Sequence, residues 1–209
     1  MRERRSAGAP ERRGAARGSG AALLLAATVL AGGAGGAEAT TAQLASYLFE
    51  SLATEERIEV PPELARRVGD LSRMAVDLDP LARIHGTFAL VVLGRGELLT
   101  LTAFEPPEGA APVELAVAAF ARCAVRGRCA ESVAALRKLG AVKAKGKGKR
   151  LATPEAVLIL SLIAQPGYAK WVDHLEVRNP VQRELFELAK RRHAATFGVA
   201  EGAPGEPTR

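Results

Sequence analysis

Aromatic residues are scarce in this chain. One tryptophan, two tyrosines and six phenylalanines make up only 4% of the 209 residues. Alanine, leucine and valine dominate instead, so the core must consist of many small aliphatic contacts. Closely packed α-helices provide contacts of this kind. The shortage of aromatic side chains therefore favours a helical fold.

Metal-binding and catalytic motifs are also missing from the sequence. Two cysteines and three histidines (His85, His174 and His193) are too few and too scattered for a typical structural zinc site. Neither H-E-x-x-H nor G-x-S-x-G occurs, and 94–96 (GRG) is too short to cradle a phosphate. We expect no metal, no cofactor and no catalytic residue.

One short segment nevertheless resembles a site. Asp173 and His174 lie between Trp171 and Glu176, and side chains of these types can act in general acid–base catalysis. The same residues also fit the end of a helix, with Trp171 packed inward and the charges in water. We favour this second interpretation, and a secreted enzyme or accessory subunit with a helical cleft is an alternative function.

The chain lacks a strong charge imbalance once residues 1–39 are set aside. Of 29 basic and 23 acidic residues, six and three lie in that segment, which leaves 23 and 20 and a net charge of +3. Domains that bind nucleic acid usually carry a strongly basic face. We therefore expect no nucleic-acid partner.

Residues 1–39 have the pattern of an export signal. Six arginines precede the apolar run 21–31, and 37–39 (AEA) has the form of a cleavage site. The apolar run is shorter than the about 20 residues that span a membrane. An uncleaved anchor or a disordered basic arm is the alternative. We predict cleavage near Ala39 and a mature chain without a transmembrane span, periplasmic or secreted.

The two cysteines lie six positions apart. Cys123 and Cys129 flank Gly127, a residue type that often ends a helix. In an oxidising compartment the two thiols can form a disulfide. Two buried thiols at a helix–helix joint are the alternative, and we predict the disulfide.

Apolar spacing and helix-start signals predict an all-α domain over residues 40–197, followed by a disordered tail at 198–209. In the first helix Leu44, Leu48 and Leu52 repeat at every fourth position. In the last helix we expect Val181 and Leu188 to point inward. Helices are predicted over 41–54, from Pro62, over 80–93, 112–124, 130–139, 154–164 and 180–196.

Residues 88–104 allow two interpretations. The runs 88–93 and 98–104 flank 94–97 (GRGE) and contain valine and threonine, a composition that suits a β-hairpin. Leu81, Ile84, Phe88 and Val91 instead keep helical spacing. We expect a helix over 80–93 and make no assignment for 98–104.

Two segments share a helix-start motif. Residues 79–83 (DPLAR), with Ala89, Leu90 and Gly94 after them, resemble the second helix of HEAT-type repeats, and 179–183 (NPVQR) is similar. The resemblance covers about half of the mature chain and implies paired helices that present a surface to another protein. An irregular helical bundle that starts its helices with proline is the alternative architecture.

A basic segment follows the predicted helix 130–139. Lys143, Lys145, Lys147, Lys149 and Arg150 alternate with small residues, so the segment has no apolar face. It is either a solvated loop or a contact for an anionic surface or an acidic partner.

These features predict an exported, non-enzymatic interaction or scaffold module of the bacterial periplasm or envelope. Its partner is expected to be another envelope protein. A small-ligand or lipid carrier is a further alternative, in which the apolar segments 88–93 and 157–164 would line a cavity.

Overall fold

The predicted all-α fold is confirmed. The computed structural model describes residues 39–143, 150–151 and 153–198, and within them ten α-helices pack as a bundle. The helices are α1 Thr41–Thr54, α2 Pro62–Arg66, α3 Val68–Met74, α4 Pro80–Val92, α5 Leu101–Phe104, α6 Pro112–Arg126, α7 Cys129–Gly140, α8 Pro154–Leu160, α9 Tyr168–Asp173 and α10 Pro180–Phe197.

Three strands of two residues each supplement the helices. They are β1 Val142–Lys143, β2 Arg150–Leu151 and β3 Leu175–Glu176. Strand β2 pairs antiparallel with β1 and parallel with β3. Elements of this length add little to the core, which the helices build. Apart from Ala39 and Gly198, the predicted export signal and tail lie outside the described residues.

Local sequence signals set the helix starts. Proline lies in the first turn of five helices, α2, α4, α6, α8 and α10. Proline has no N–H, and an N–H at that position would have no partner within the helix. Asp79 Oδ1 accepts a hydrogen bond from Leu81 N at 3.2 Å, and Asn179 Oδ1 accepts one from Gln182 N at 2.8 Å. Thr153 precedes α8 but makes no side-chain cap bond.

Helix α4 is central and packs against α1, α3 and α6. Phe88 is fully buried, with its ring centroid 5.2 Å from Phe49 and 5.9 Å from Phe120. Because neighbours cover α4 on several sides, its apolar residues need no strand pairing to be buried. The hairpin alternative for 88–104 is therefore wrong, and a 3₁₀ turn (Gly96–Leu98) and α5 follow α4.

Two details of the predicted helices are wrong. Val181, expected to point inward, is 60% exposed, since it lies in a first turn that no neighbour covers. Leu81, whose spacing fits the confirmed helix α4, is also 60% exposed. Helix α8 ends at Leu160, short of 164. Beyond it the backbone forms 3₁₀-type hydrogen bonds, in which each N–H donates to the carbonyl oxygen three residues earlier. They run from Leu162 N to Ile159 O and from Ile163 N to Leu160 O.

Candidate interaction surface

Arg83 fixes the connection between α3 and α4. Its Nη1 donates to the carbonyl oxygens of Asp77 at 2.9 Å and Leu78 at 2.8 Å. Its Nε donates to Glu114 Oε1 at 3.0 Å, and the two side chains are 20% and 10% exposed. One guanidinium therefore connects α4, the preceding turn and α6. The HEAT-like motif at 79–83 contains this arginine.

The same turn exposes aliphatic side chains. Val76 is 50% exposed, Leu78 93% and Leu81 60%. Asp77 Oδ1 accepts from Asp79 N at 2.9 Å, and Asp79 in turn caps α4, so both carboxylates take part in bonds of the turn itself. We call residues 76–81 the apolar turn: a fixed loop that presents three aliphatic side chains to solvent.

The second motif, at 179–183, is built differently. Asn179 caps α10, but the side chain of Arg183 is exposed and forms no hydrogen bond to the described residues of the preceding loop. Gln182 is buried there instead, and its Oε1 accepts from Arg178 N at 2.7 Å. The two motifs therefore share a cap and a proline but not the arginine contact.

Arg192 is a buried cation that the sequence reasoning missed. It is 1% exposed, and its Nη2 donates to the carbonyl oxygens of Leu52 at 2.7 Å, Ser51 at 3.3 Å and Glu55. Nη1 reaches Ser161 Oγ at 3.3 Å. The last carbonyls of a helix lack partners within it and form the negative end of its dipole. Arg192 therefore completes the C-terminal end of α1.

Tyr168 and His193 stack beside this arginine, with ring centroids 4.6 Å apart and planes at 22°. The Tyr168 hydroxyl donates to the Val157 carbonyl oxygen at 2.8 Å. Burial raises the pKa of Tyr168 well above its ordinary value, although the charge of Arg192 and a hydrogen bond with Ser161 oppose the shift. The phenol is therefore a neutral donor that joins α9 to α8.

The side chains near 173 that resemble an acid–base site do not converge on one point. Asp173 Oδ1 lies 2.8 Å from Lys190 Nζ, His174 Nδ1 lies 2.5 Å from the Lys170 carbonyl oxygen, and Glu176 belongs to β3. Burial would lower the pKa of Lys190, but its hydrogen bonds with Asp173 and a second carboxylate raise it overall. The three side chains thus have separate surroundings.

The structure describes only the two ends of the basic segment, Lys143 and Arg150. Lys143 in β1 pairs through its backbone with Arg150 in β2. Lys145, Lys147 and Lys149 lie outside the described residues. A contact of this segment with an anionic surface or an acidic partner stays a prediction.

The Cys123–Cys129 disulfide is confirmed. Its sulfur atoms are 2.03 Å apart, and it joins the end of α6 to the start of α7. Gly127 between them ends α6 with φ of 68°, in the left-handed region that glycine adopts without strain. Such a bond fits an oxidising compartment.

Two site types have no candidate in the described ranges. No group of three or more His, Cys, Asp or Glu side chains there could hold a metal ion. None of the described helices is long and apolar enough to cross a membrane.

Comparison with known proteins gives no relative. The chain matches no protein-family model, and no curated protein or solved structure is significantly similar to it.

Proposed function

We propose that this protein is a non-catalytic interaction module of an extracytoplasmic compartment, and that its apolar turn contacts a protein partner. One observation carries the proposal: Leu78 is 93% exposed in a turn whose backbone Arg83 holds in place. An apolar side chain in water favours a partner that can bury it, and contiguous exposed apolar side chains mark interaction sites.

The rigidity of the turn supports this role. A flexible loop must lose conformational entropy when it binds, and a preformed loop loses less. Arg83 holds the backbone at Asp77 and Leu78, so Leu78 is presented before any partner arrives. Complete burial of one leucine side chain contributes roughly 1.5–3 kcal/mol. The partner that fits is a protein surface with an apolar pocket.

Two further features support the location and the type of protein. The disulfide requires an oxidising environment to form and persist, and residues 1–39 have the pattern of an export signal. The motif at 79–83 resembles that of HEAT-type repeats, a class of helical proteins that act through surfaces. We therefore infer an envelope protein as partner.

The test is a crosslinking pull-down of tagged protein from the envelope of its native host. Leu78→Ser and Leu81→Ser remove exposed aliphatic groups, so the fold should persist. Val181→Ser is the matched control, because Val181 follows the cap and proline of α10 as Leu81 follows those of α4, and both are 60% exposed. A partner captured by wild type and the control but lost from both leucine variants supports the proposal.

Equal capture by all four proteins would overturn the assignment to the apolar turn. A fifth protein with Lys143, Lys145, Lys147 and Lys149 changed to alanine tests whether the basic segment adds to the contact. Sedimentation equilibrium of the pure protein tests whether the partner is a second copy of this chain. Self-association that is lost in Leu78→Ser would identify the partner as this chain itself.

A further inference from the structure

An open groove of about 560 Å³ lies away from the apolar turn. Its floor and walls are mostly apolar and come from the segment after α1 and from helices α4, α6 and α10, together with the turn after α8. The apolar residues that shape it most are Ile58, Val91, Val92, Phe120, Leu162 and Ala195. Val91, Val92 and Leu162 belong to the two apolar segments that the sequence suggested for a carrier.

Positive charge accompanies this apolar lining. Arg57 and Arg192 both line the groove. Arg57 is exposed, and Arg192 is buried with its Nε making no hydrogen bond to a described residue. Among the described residues, Arg192 donates only to carbonyl and hydroxyl oxygens and forms no ion pair with a carboxylate.

The acidic residue of the groove does not cancel this charge. Glu56 also lines the groove, and its carboxylate forms an ion pair with Arg191. The charges of Glu55 and Glu56 act on Arg192 without forming an ion pair with it. With Glu56, Arg57 and Arg192 in the lining, one negative and two positive charges leave the groove a net charge of +1. A buried charge attracts an anion more strongly than an exposed one, because the surrounding dielectric constant is lower.

We propose that this groove binds a long-chain carboxylate, with the acyl chain along Val91, Val92 and Leu162 and the carboxylate near Arg57 and Arg192. The volume lies within the roughly 300–1,000 Å³ of small-molecule sites. The combination of an apolar lining and two cations fits an amphiphile with one anionic end. A neutral apolar molecule would add no counter-charge to the net positive charge of this lining.

The experiment measures displacement of the fluorescent fatty acid cis-parinarate from the full chain by palmitate, by octanoate and by neutral hexadecan-1-ol. Palmitate should displace the probe most strongly, because octanoate has too short a chain and the alcohol lacks the charge. Absence of parinarate binding, or equal displacement by palmitate and the alcohol, would overturn the proposal.

Two variants fill the groove without changing the core. Ala124 and Ala195 are exposed helical residues that line it, so Ala124→Trp and Ala195→Trp should weaken parinarate binding by about tenfold or more. Ala134→Trp, an exposed alanine in the middle of α7 away from the groove, is the matched control. Equal weakening by all three would contradict the location.

The charge has its own variant. Arg57→Gln removes an exposed guanidinium and should weaken palmitate about fivefold, which corresponds to the loss of an exposed charge contact. The same change should leave the binding of hexadecan-1-ol unaffected. Arg183 is an exposed arginine at the other end of α10, so Arg183→Gln should change the binding of neither ligand. If Arg57→Gln binds palmitate as wild type does, the carboxylate is not held there and the proposal fails.

Discussion

The Nη2 atom of Arg192 donates to the main-chain carbonyl oxygen of Leu52 at 2.7 Å, across 140 positions of sequence. This bond attaches the second half of α10 to the last turn of α1. The same nitrogen also reaches the carbonyl oxygens of Ser51 and Glu55. Ser51 O already accepts from Glu55 N at 2.9 Å, so the donor that Arg192 adds matters most for Leu52 and Glu55. The side chain thus joins the two ends of the described domain.

Replacing this arginine should be costly. Arg192→Ala leaves buried carbonyl oxygens without a donor and opens a void, so we expect the free energy of unfolding to fall by about 3–5 kcal/mol. Urea denaturation followed by circular dichroism measures it. Arg191→Ala is the matched control, because that neighbour forms an exposed ion pair with Glu56 and should cost at most about 1 kcal/mol.

Comparable losses in the two variants would contradict this account. They would mean that the bonds of Arg192 to α1 contribute no more than a surface ion pair. Arg192→Lys adds a second check: it keeps the charge but not the planar fork, so its loss should lie between those of wild type and the alanine variant.

The burial of Arg192 shows which information the sequence withholds. Arg192 follows Leu188 by four positions, so helical spacing places it on the inward face of α10. A charged side chain is normally exposed to solvent. Arg192 is buried because carbonyl oxygens at the end of α1, far away in sequence, need a hydrogen-bond donor. Val181 shows the opposite error, since an apolar residue in the first turn was assigned to a face that no neighbour covers.

Features governed by neighbouring residues were predicted well. The helix starts at Asp79-Pro80 and Asn179-Pro180 and the glycine that ends α6 depend on groups within a few positions of one another. The threonine cap expected at Thr153 is wrong, because that side chain makes no cap bond. The cationic groove and the exposure of Leu78 depend on how helices distant in sequence pack. No local pattern encodes that packing, so the sequence could suggest only which apolar segments might line a cavity.

Gly86 lies where α3 and α4 approach each other closely. A Cβ atom there would lie 2.7 Å from Ala75 N and 2.9 Å from Leu71 O, which are backbone atoms that cannot move aside cheaply. Gly86→Ala should therefore destabilise the protein by at least about 2 kcal/mol. Thermal unfolding measures the change.

Gly69 in α3 is the matched control for this glycine, because a Cβ there would meet nothing within 4 Å. Gly69→Ala should stabilise by about 0.5–1 kcal/mol, since alanine has the higher helix propensity. Opposite signs in the two variants are the expected result. A tolerated Gly86→Ala would show that the two helices can separate without cost.

The disulfide should contribute modestly because it closes a short loop. The cysteines are six positions apart, and loop entropy at that length corresponds to about 2 kcal/mol. The double variant Cys123→Ala/Cys129→Ala should lose that amount in urea denaturation, and adding reductant should lower wild-type stability without affecting the variant. Equal sensitivity of both proteins to reductant would contradict the role given to this bond.

His85 makes stability depend on pH in a defined direction. Burial beside Phe49 lowers its pKa below the ordinary 6.5, while the charges of Glu50 and Asp79 oppose the shift. Between the lowered folded pKa and about pH 6.5, the unfolded chain therefore binds a proton that the folded chain does not. The free energy of unfolding should fall as the pH falls from 6.5 through the lowered folded pKa.

The variant His85→Gln removes this proton uptake. Its free energy of unfolding, measured in urea between about pH 7.5 and about pH 5, should decline less than that of wild type. Glu50→Gln acts in the opposite direction, because the loss of a neighbouring negative charge lowers the folded pKa of His85 further and deepens the decline. If His85→Gln kept the full wild-type decline, the pH dependence would have to come from other groups. A decline that Glu50→Gln made shallower would show that the Glu50 charge does not favour the protonated form of His85 in the folded protein.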